Sequence, residues 1–243
     1  MSATNDRVVG LAVAQDPIFG FAIRYLRDQG FNLPKEGANA REWSAGHAER
    51  GIPEAQVTYG LLLSLGLFGG EDADAARFWF QSAADQGHPP GILMLADFFD
   101  AGSNGERPDA KRAVELIERA AEMQYGPALV QLGVMYLEGI NVEKNRDRSL
   151  KFLLKAANVG DVQGQYLLAA NLLKGESEEY IPEGIFWLLR AAENGYAGAH
   201  RQLGYLYSEG SKGMTCDKKL SETHFQKASQ IEDSAYIEFS EFR

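Results

Sequence analysis

The sequence predicts an all-α chain, a right-handed α-solenoid of about six helix-turn-helix repeats of roughly 36 residues each. Three observations predict it. An alanine pair recurs in "QSAADQG", "ERAAEMQ", "LKAANVG" and "LRAAENG", with first alanines at 83, 120, 156 and 191, so the intervals are 37, 36 and 35. A glycine closing an apolar segment recurs at Gly66, Gly102, Gly139, Gly175 and Gly210. Between these marks a small residue returns at Gly60, Ala96, Gly133, Ala169 and Gly204.

Projected backwards, the period aligns Gly30 with Gly66, Trp43 with Trp79, and "HAERG" with "AADQG". Residues 15–50 therefore read as a degenerate first unit, and residues 1–14 as a leading or capping segment. The following units are 51–86, 87–123, 124–159, 160–194 and 195–230. Residues 231–243 read as a C-terminal cap, with Ile231, Tyr236, Ile237 and Phe239 covering the last hairpin or, alternatively, leaving an apolar end for self-association.

Each unit reads as a helical hairpin. Leu129, Leu132, Met135 and Tyr136 follow three-and-four spacing, as do Leu150, Leu153, Leu154 and Ala157. Gly139 stands where a left-handed residue ends a helix. Asp72 or Asp74 is placed to cap the helix that follows. Small residues at Gly133 and the alanine pairs let helices approach closely. Trp79, Leu116, Phe152 and Trp187 at one phase, and Phe99, Tyr136 and Tyr207 at another, fill the remaining space. Trp43, Trp79 and Trp187 share one phase and so read as core, not as a ligand cage.

"YGPALVQLGVMYLEGINVEKNRDRSLKFLLKAANVG" (Tyr125 to Gly160) resembles a Sel1-like repeat, a relative of the tetratricopeptide repeat. The resemblance covers roughly residues 15 to 230 and is looser at 51–86 and 160–194. There "GESEEYIPEGIFW" departs from the usual Gly-x-Gly-Val loop, which puts the loop geometry at that point in question. The resemblance implies a stack of hairpins with a concave and a convex side. It implies little about chemistry, because the family's recurring positions are packing positions.

Composition narrows the function classes. The chain is 45% hydrophobic, 24% charged and carries a formal net charge of −10, which argues against nucleic acid and anionic lipid as partners. One cysteine, Cys216, excludes an intramolecular disulfide. No apolar run approaches membrane-spanning length, and "VVGLAVAQD" lacks the basic start and length of a secretory signal, so a cytoplasmic location is expected.

No catalytic constellation is legible. His47, His88, His200 and His224 are read as falling in different units and at different phases, without metal-ligand spacing. Cys216 lies in a loop, with His224 the only nearby histidine, and reads as a bystander. The acidic stretches "GESEEY" and "GGEDADAARF" lack the order of a calcium loop. No enzyme activity, cofactor or metal is expected.

Function is expected where units differ on an exposed face. In tetratricopeptide-type hairpins the first helix of each unit lines the concave surface. The matching phases are Tyr25, Val57, Leu61, Leu93, Asp97, Asp100, Val130, Val134, Tyr166, Lys174, Arg201, Tyr205 and Glu209. Exposed aliphatics and tyrosines there suit a protein or peptide partner. The leading expectation is a non-enzymatic scaffold or adaptor holding such a partner in its concave groove. Because Sel1-like proteins in bacteria include regulators, host-interaction factors and immunity proteins for secreted toxins, the resemblance implies a second: an immunity or inhibitor protein. An enzyme is the third and least supported. The sequence fixes no oligomeric state.

Overall fold

A computed structural model describes residues 17–32, 36–67, 69–102, 107–175 and 177–240, with side chains described from residue 20 to residue 233. The expected leading segment, 1–14, lies outside them. The described residues form twelve α-helices and no strand. They are α1 (Pro17–Asp28), α2 (Gly37–Glu49), α3 (Pro53–Ser64), α4 (Ala73–Asp85), α5 (Pro89–Ala101) and α6 (Ala110–Glu122). They continue with α7 (Gly126–Glu138), α8 (Arg146–Asn158), α9 (Val162–Lys174), α10 (Ile181–Glu193), α11 (Ala197–Glu209) and α12 (Lys218–Ser240). The chain divides into two compact units. The first holds α1 to α6, and the second, Gln124–Ser234, holds α7 to α11 and most of α12.

Helix starts and stops follow local chemistry. Asp72, Asp109, Asn145 and Asp161 each accept a backbone N–H two or three residues into the helix they precede. Of the two acids offered as caps for α4, Asp72 takes the role, accepting from Ala75 N at 2.9 Å. Gly139 ends α7 in the left-handed region, φ +78°, as expected. The atypical loop after α9 does differ. Gly175 is extended rather than left-handed, and a 3-10 turn, Glu178–Tyr180, leads into α10.

The two helices of a hairpin have different jobs. In α3 and in α7, eight residues each are buried; in α4, α6, α8 and α10 only four are. First helices are thus enclosed nearly all round, whereas second helices bury one stripe and present the rest to water. The alanine pairs are that stripe: Ala83, Ala84, Ala120, Ala121, Ala156, Ala157, Ala191 and Ala192 are all buried.

Close approach explains the small residues. A Cβ added at Gly60 would lie 2.5 Å from the Phe80 ring, and one at Gly133 would lie 2.7 Å from Leu153. The same holds where one hairpin meets the next: Gly91 would meet Ala83 at 2.5 Å and Gly164 would meet Ala156 at 2.6 Å. In the first unit Ile23, Leu26, Ala40 and Leu62 form a cluster flanked by Phe31 and Trp43. In the second, Leu188, Ala191, Ala199 and Leu203 pack with Trp187, Tyr196 and Tyr207.

The expected C-terminal cap is not a separate element. α12 runs unbroken from Lys218 to Ser240, 23 residues against 13 for each other second helix. The side chains of Tyr236, Ile237 and Phe239 lie outside the described set.

Candidate partner-binding face

Thirteen residues were expected on an exposed first-helix face, and the structure divides them. Val57, Leu61, Leu93 and Val130 are buried, which corrects the expectation of exposure. The cause is the close approach just described. Gly60 and Gly133 draw their helices so near the partner helix that flanking phases are covered as well. Four of the aliphatic positions are therefore core. Val134 is half-buried.

Tyr25 is half-buried in an aromatic cluster, its ring 6.3 Å from Phe21 and 6.0 Å from Trp43. Burial, with Glu54 adding to it, pushes its hydroxyl above the usual tyrosine range. Asp97 and Asp100 are exposed on α5. Lys174 is exposed in the last turn of α9.

The clearest surface is in the second unit. Arg201, Tyr205 and Glu209 lie at i, i+4 and i+8 on α11, so they share one stripe, and all three are exposed. Tyr205 is 54% exposed, its ring held edge-on against Phe225 of α12 at 5.1 Å. Arg201 forms an ion pair with Glu232 in the extended part of α12. Beside them the rings of Tyr166 and Tyr196 lie 4.8 Å apart over Gly198, where an added Cβ would strike Tyr196 at 2.8 Å. Burial raises the Tyr196 pKa, Tyr166 and Asp161 raise it further, and Arg201 opposes them. Asp161 is itself pushed up by burial, against the Gly164 and Gln163 N–H groups that stabilise its carboxylate.

The reading of the histidines needs correction. His200 and His224 belong to one hairpin and meet, Nδ1 to Nδ1 at 2.9 Å, with Tyr207 stacked on His224 at 5.6 Å. Sequence spacing gave no signal of this, since they are 24 residues apart on different helices. His47 donates its Nδ1–H to the Trp43 carbonyl, 2.8 Å away, and lies on the Trp43 ring. His88 stands at the N-cap position of α5 without a side-chain capping bond, its ring 6.0 Å from Phe21, and burial lowers its pKa while Glu54 works the other way. Cys216 is exposed, its thiol donating to the Ser208 carbonyl. No group of three His, Cys, Asp or Glu side chains able to hold a metal occurs among the described residues. No helix among them is long and apolar enough to cross a membrane.

The comparison with known proteins decides the family. The Sel1 repeat model matches five times, at residues 53–88, 89–125, 126–161, 162–196 and 197–231. The chain belongs to the Sel1 repeat family. A Sel1 repeat protein from Oxalobacter formigenes superimposes with a TM-score of 0.73 at 26% identity, covering 88% of each chain. An immunity protein from Pseudomonas aeruginosa shares the fold, with a TM-score of 0.64 at 21% identity over 90% of this Sel1 chain and 84% of that one. Chitin synthase regulatory factor 3 of Schizosaccharomyces pombe is 28% identical over 189 residues, 74% of this chain and 20% of that protein. The Sel1 chain spans about a third or less of the curated relatives it matches. Its fold is an all-α repeat solenoid of the kind that serves as a protein-interaction scaffold.

Proposed function

We propose that this Sel1 chain is a non-catalytic scaffold that binds a protein or peptide partner along its first helices, with the α11 stripe Arg201, Tyr205 and Glu209 as the main contact. The observation that carries this reading is the exposure of a tyrosine between a cation and a carboxylate on a helix that buries Ala199, His200, Leu203, Gly204 and Leu206. Rigid aromatic surface flanked by charge is the composition of protein-binding hot spots. Capture from native lysate with the wild-type chain and with Tyr205→Ala/Glu209→Lys tests it. A partner retained by the first and lost by the second, at unchanged helical content, supports it; equal retention removes α11 from the interface. A cytoplasmic location goes with this reading, and cell fractionation checks it.

A second reading is supported by one observation. The likeness to the P. aeruginosa immunity proteins runs over 90% of this chain and 84% of each of theirs. On that reading the chain is an inhibitor of a toxic effector. Co-expression with the product of the adjacent reading frame separates the two: rescue of growth from a toxic neighbour favours the inhibitor, and a harmless neighbour counts against it.

A further inference from the structure

Second helices turn most of their surface to water, and on α8 and α10 that surface mixes cations with exposed apolar side chains in register. Leu154 and Lys155 of α8 stand at the same repeat phase as Leu189 and Arg190 of α10, and Lys151 at the same phase as Phe186. All six are exposed; Leu154 and Leu189 are each 38% exposed and Phe186 is 48% exposed. The helices border one core cluster, since Trp187 of α10 packs against the group formed by Leu153 and Ala157 of α8 with Leu168 and Leu172 of α9. The corresponding phases hold Phe78, Gln81 and Ser82 on α4 and Glu115, Glu118 and Arg119 on α6, so leucine followed by a cation at these phases is confined to α8 and α10.

The cations on this face lie outside ion-pair distance of any described carboxylate, with Asp147 four residues before Lys151 and Glu193 three after Arg190. Lys155 lies over the Phe152 ring at 5.6 Å and Arg190 over the Phe186 ring at 5.6 Å. Neither they nor Lys151 enter an ion pair with any described residue. A positive patch of this kind is a local exception on a chain of net charge −10.

We propose that the outer face of α8 and α10 is a docking surface for an acidic segment of a partner protein that also carries leucine or phenylalanine. Charge complementarity selects the acid: cations without counter-charge attract carboxylates and raise the rate of encounter. The apolar rungs select a segment with side chains to bury, because Phe186 and the two leucines gain only from leaving water. Anionic membrane fits less well. Three cations supply about 1 kcal/mol each near a charged bilayer, opposed by the repulsion of the whole acidic chain. Nucleic acid leaves the apolar rungs without use and gains few phosphate contacts.

The test uses fluorescence anisotropy with a labelled helical peptide of repeated Glu-Glu-Leu-Leu. Polyglutamate of equal charge, phosphatidylserine vesicles and single-stranded DNA are the competing probes. The Glu-Leu peptide is expected to bind. Lys151→Glu/Lys155→Glu/Arg190→Glu and, separately, Leu154→Ser/Phe186→Ser/Leu189→Ser are each expected to weaken it by about tenfold or more. Both variants change only exposed side chains, and circular dichroism checks their folding. Tyr205→Ala, on α11, is expected to leave this binding unchanged, so the outcome is independent of the α11 reading. The proposal is overturned by no binding up to about 1 mM, by binding indifferent to both triple variants, or by any competing probe binding as tightly.

Discussion

The Nδ1 atoms of His200 and His224 lie 2.9 Å apart, so one ring donates and the other accepts. The Ala192 carbonyl also faces His200 and favours its protonated form. Two glutamines hold the same repeat phase. Gln56 donates to the Ala48 carbonyl and accepts from Gln86 at 2.8 Å. Gln165 donates to the Ala157 carbonyl and accepts from Asn194 at 3.0 Å. Each glutamine satisfies a carbonyl eight residues earlier, at the end of the preceding helix, and His200 stands at the same phase facing Ala192. His200 is the one version of this device that can titrate.

Stability of the last hairpin should therefore depend on pH. Burial lowers the pKa of His200, with Lys227 adding and the Ala192 carbonyl opposing; burial lowers that of His224, with His200 and Lys227 adding. Both folded values lie below the ordinary 6.5. The unfolded chain then binds more protons than the folded one, so stability is complete above pH 6.5 and falls as pH drops through the lowered folded values. Melting curves from pH 8 to 5 read this. In His200→Gln, which restores the pattern of Gln56 and Gln165, the slope should flatten; an unchanged slope would place the effect elsewhere.

Gly133→Ala should destabilise by about 1–3 kcal/mol in urea unfolding, because the new methyl meets Leu153 at 2.7 Å and the helices must separate. Gly20→Ala is a useful contrast, since an added Cβ there meets nothing within 4 Å. It should be neutral or slightly stabilising.

Gln124 adopts φ +59°, at the phase where Gly51, Gly87, Gly160 and Gly195 take positive φ. A side chain is disfavoured there. Gln124→Gly should stabilise by roughly 0.5–1 kcal/mol, after allowing for the entropy that glycine gains on unfolding. Thermal melting measures it, and a lower melting temperature would show that the glutamine side chain contributes more than its backbone costs.

Arg201→Ala should leave stability within about 1 kcal/mol of the parent, because its pair with Glu232 is partly exposed and surface pairs contribute little. A larger loss in urea unfolding would show that this contact holds α12 in place. That would disqualify Arg201 as a variant for probing binding alone.

Fold was legible in the sequence because the same steric demand is repeated. Ala83, Ala120, Ala156 and Ala191 face one problem in successive hairpins, and Gly133 or Gly139 solves another, so period alone exposes them. The exposed face of the first helices was legible only in part. Periodicity gives the angle between Val57 or Val130 and the packing residues, but not how many neighbours surround the helix, and that number decides burial. The His200–His224 contact was not legible at all, since it depends on the register between α11 and α12 rather than on any spacing within one helix.

The 23-residue α12 bears on how long such an array grows. After each earlier second helix a residue of positive φ (Gly51, Gly87, Gln124, Gly160 or Gly195) swings the backbone into the next hairpin. At the equivalent place Ile231 and Glu232 remain helical, and the turn never happens. Copy number is thus punctuated: a block cut between two such residues carries both junctions with it and can be duplicated or deleted without redesign. α12 lacks that punctuation, so a block joined directly at 231 would have to bring its own turn.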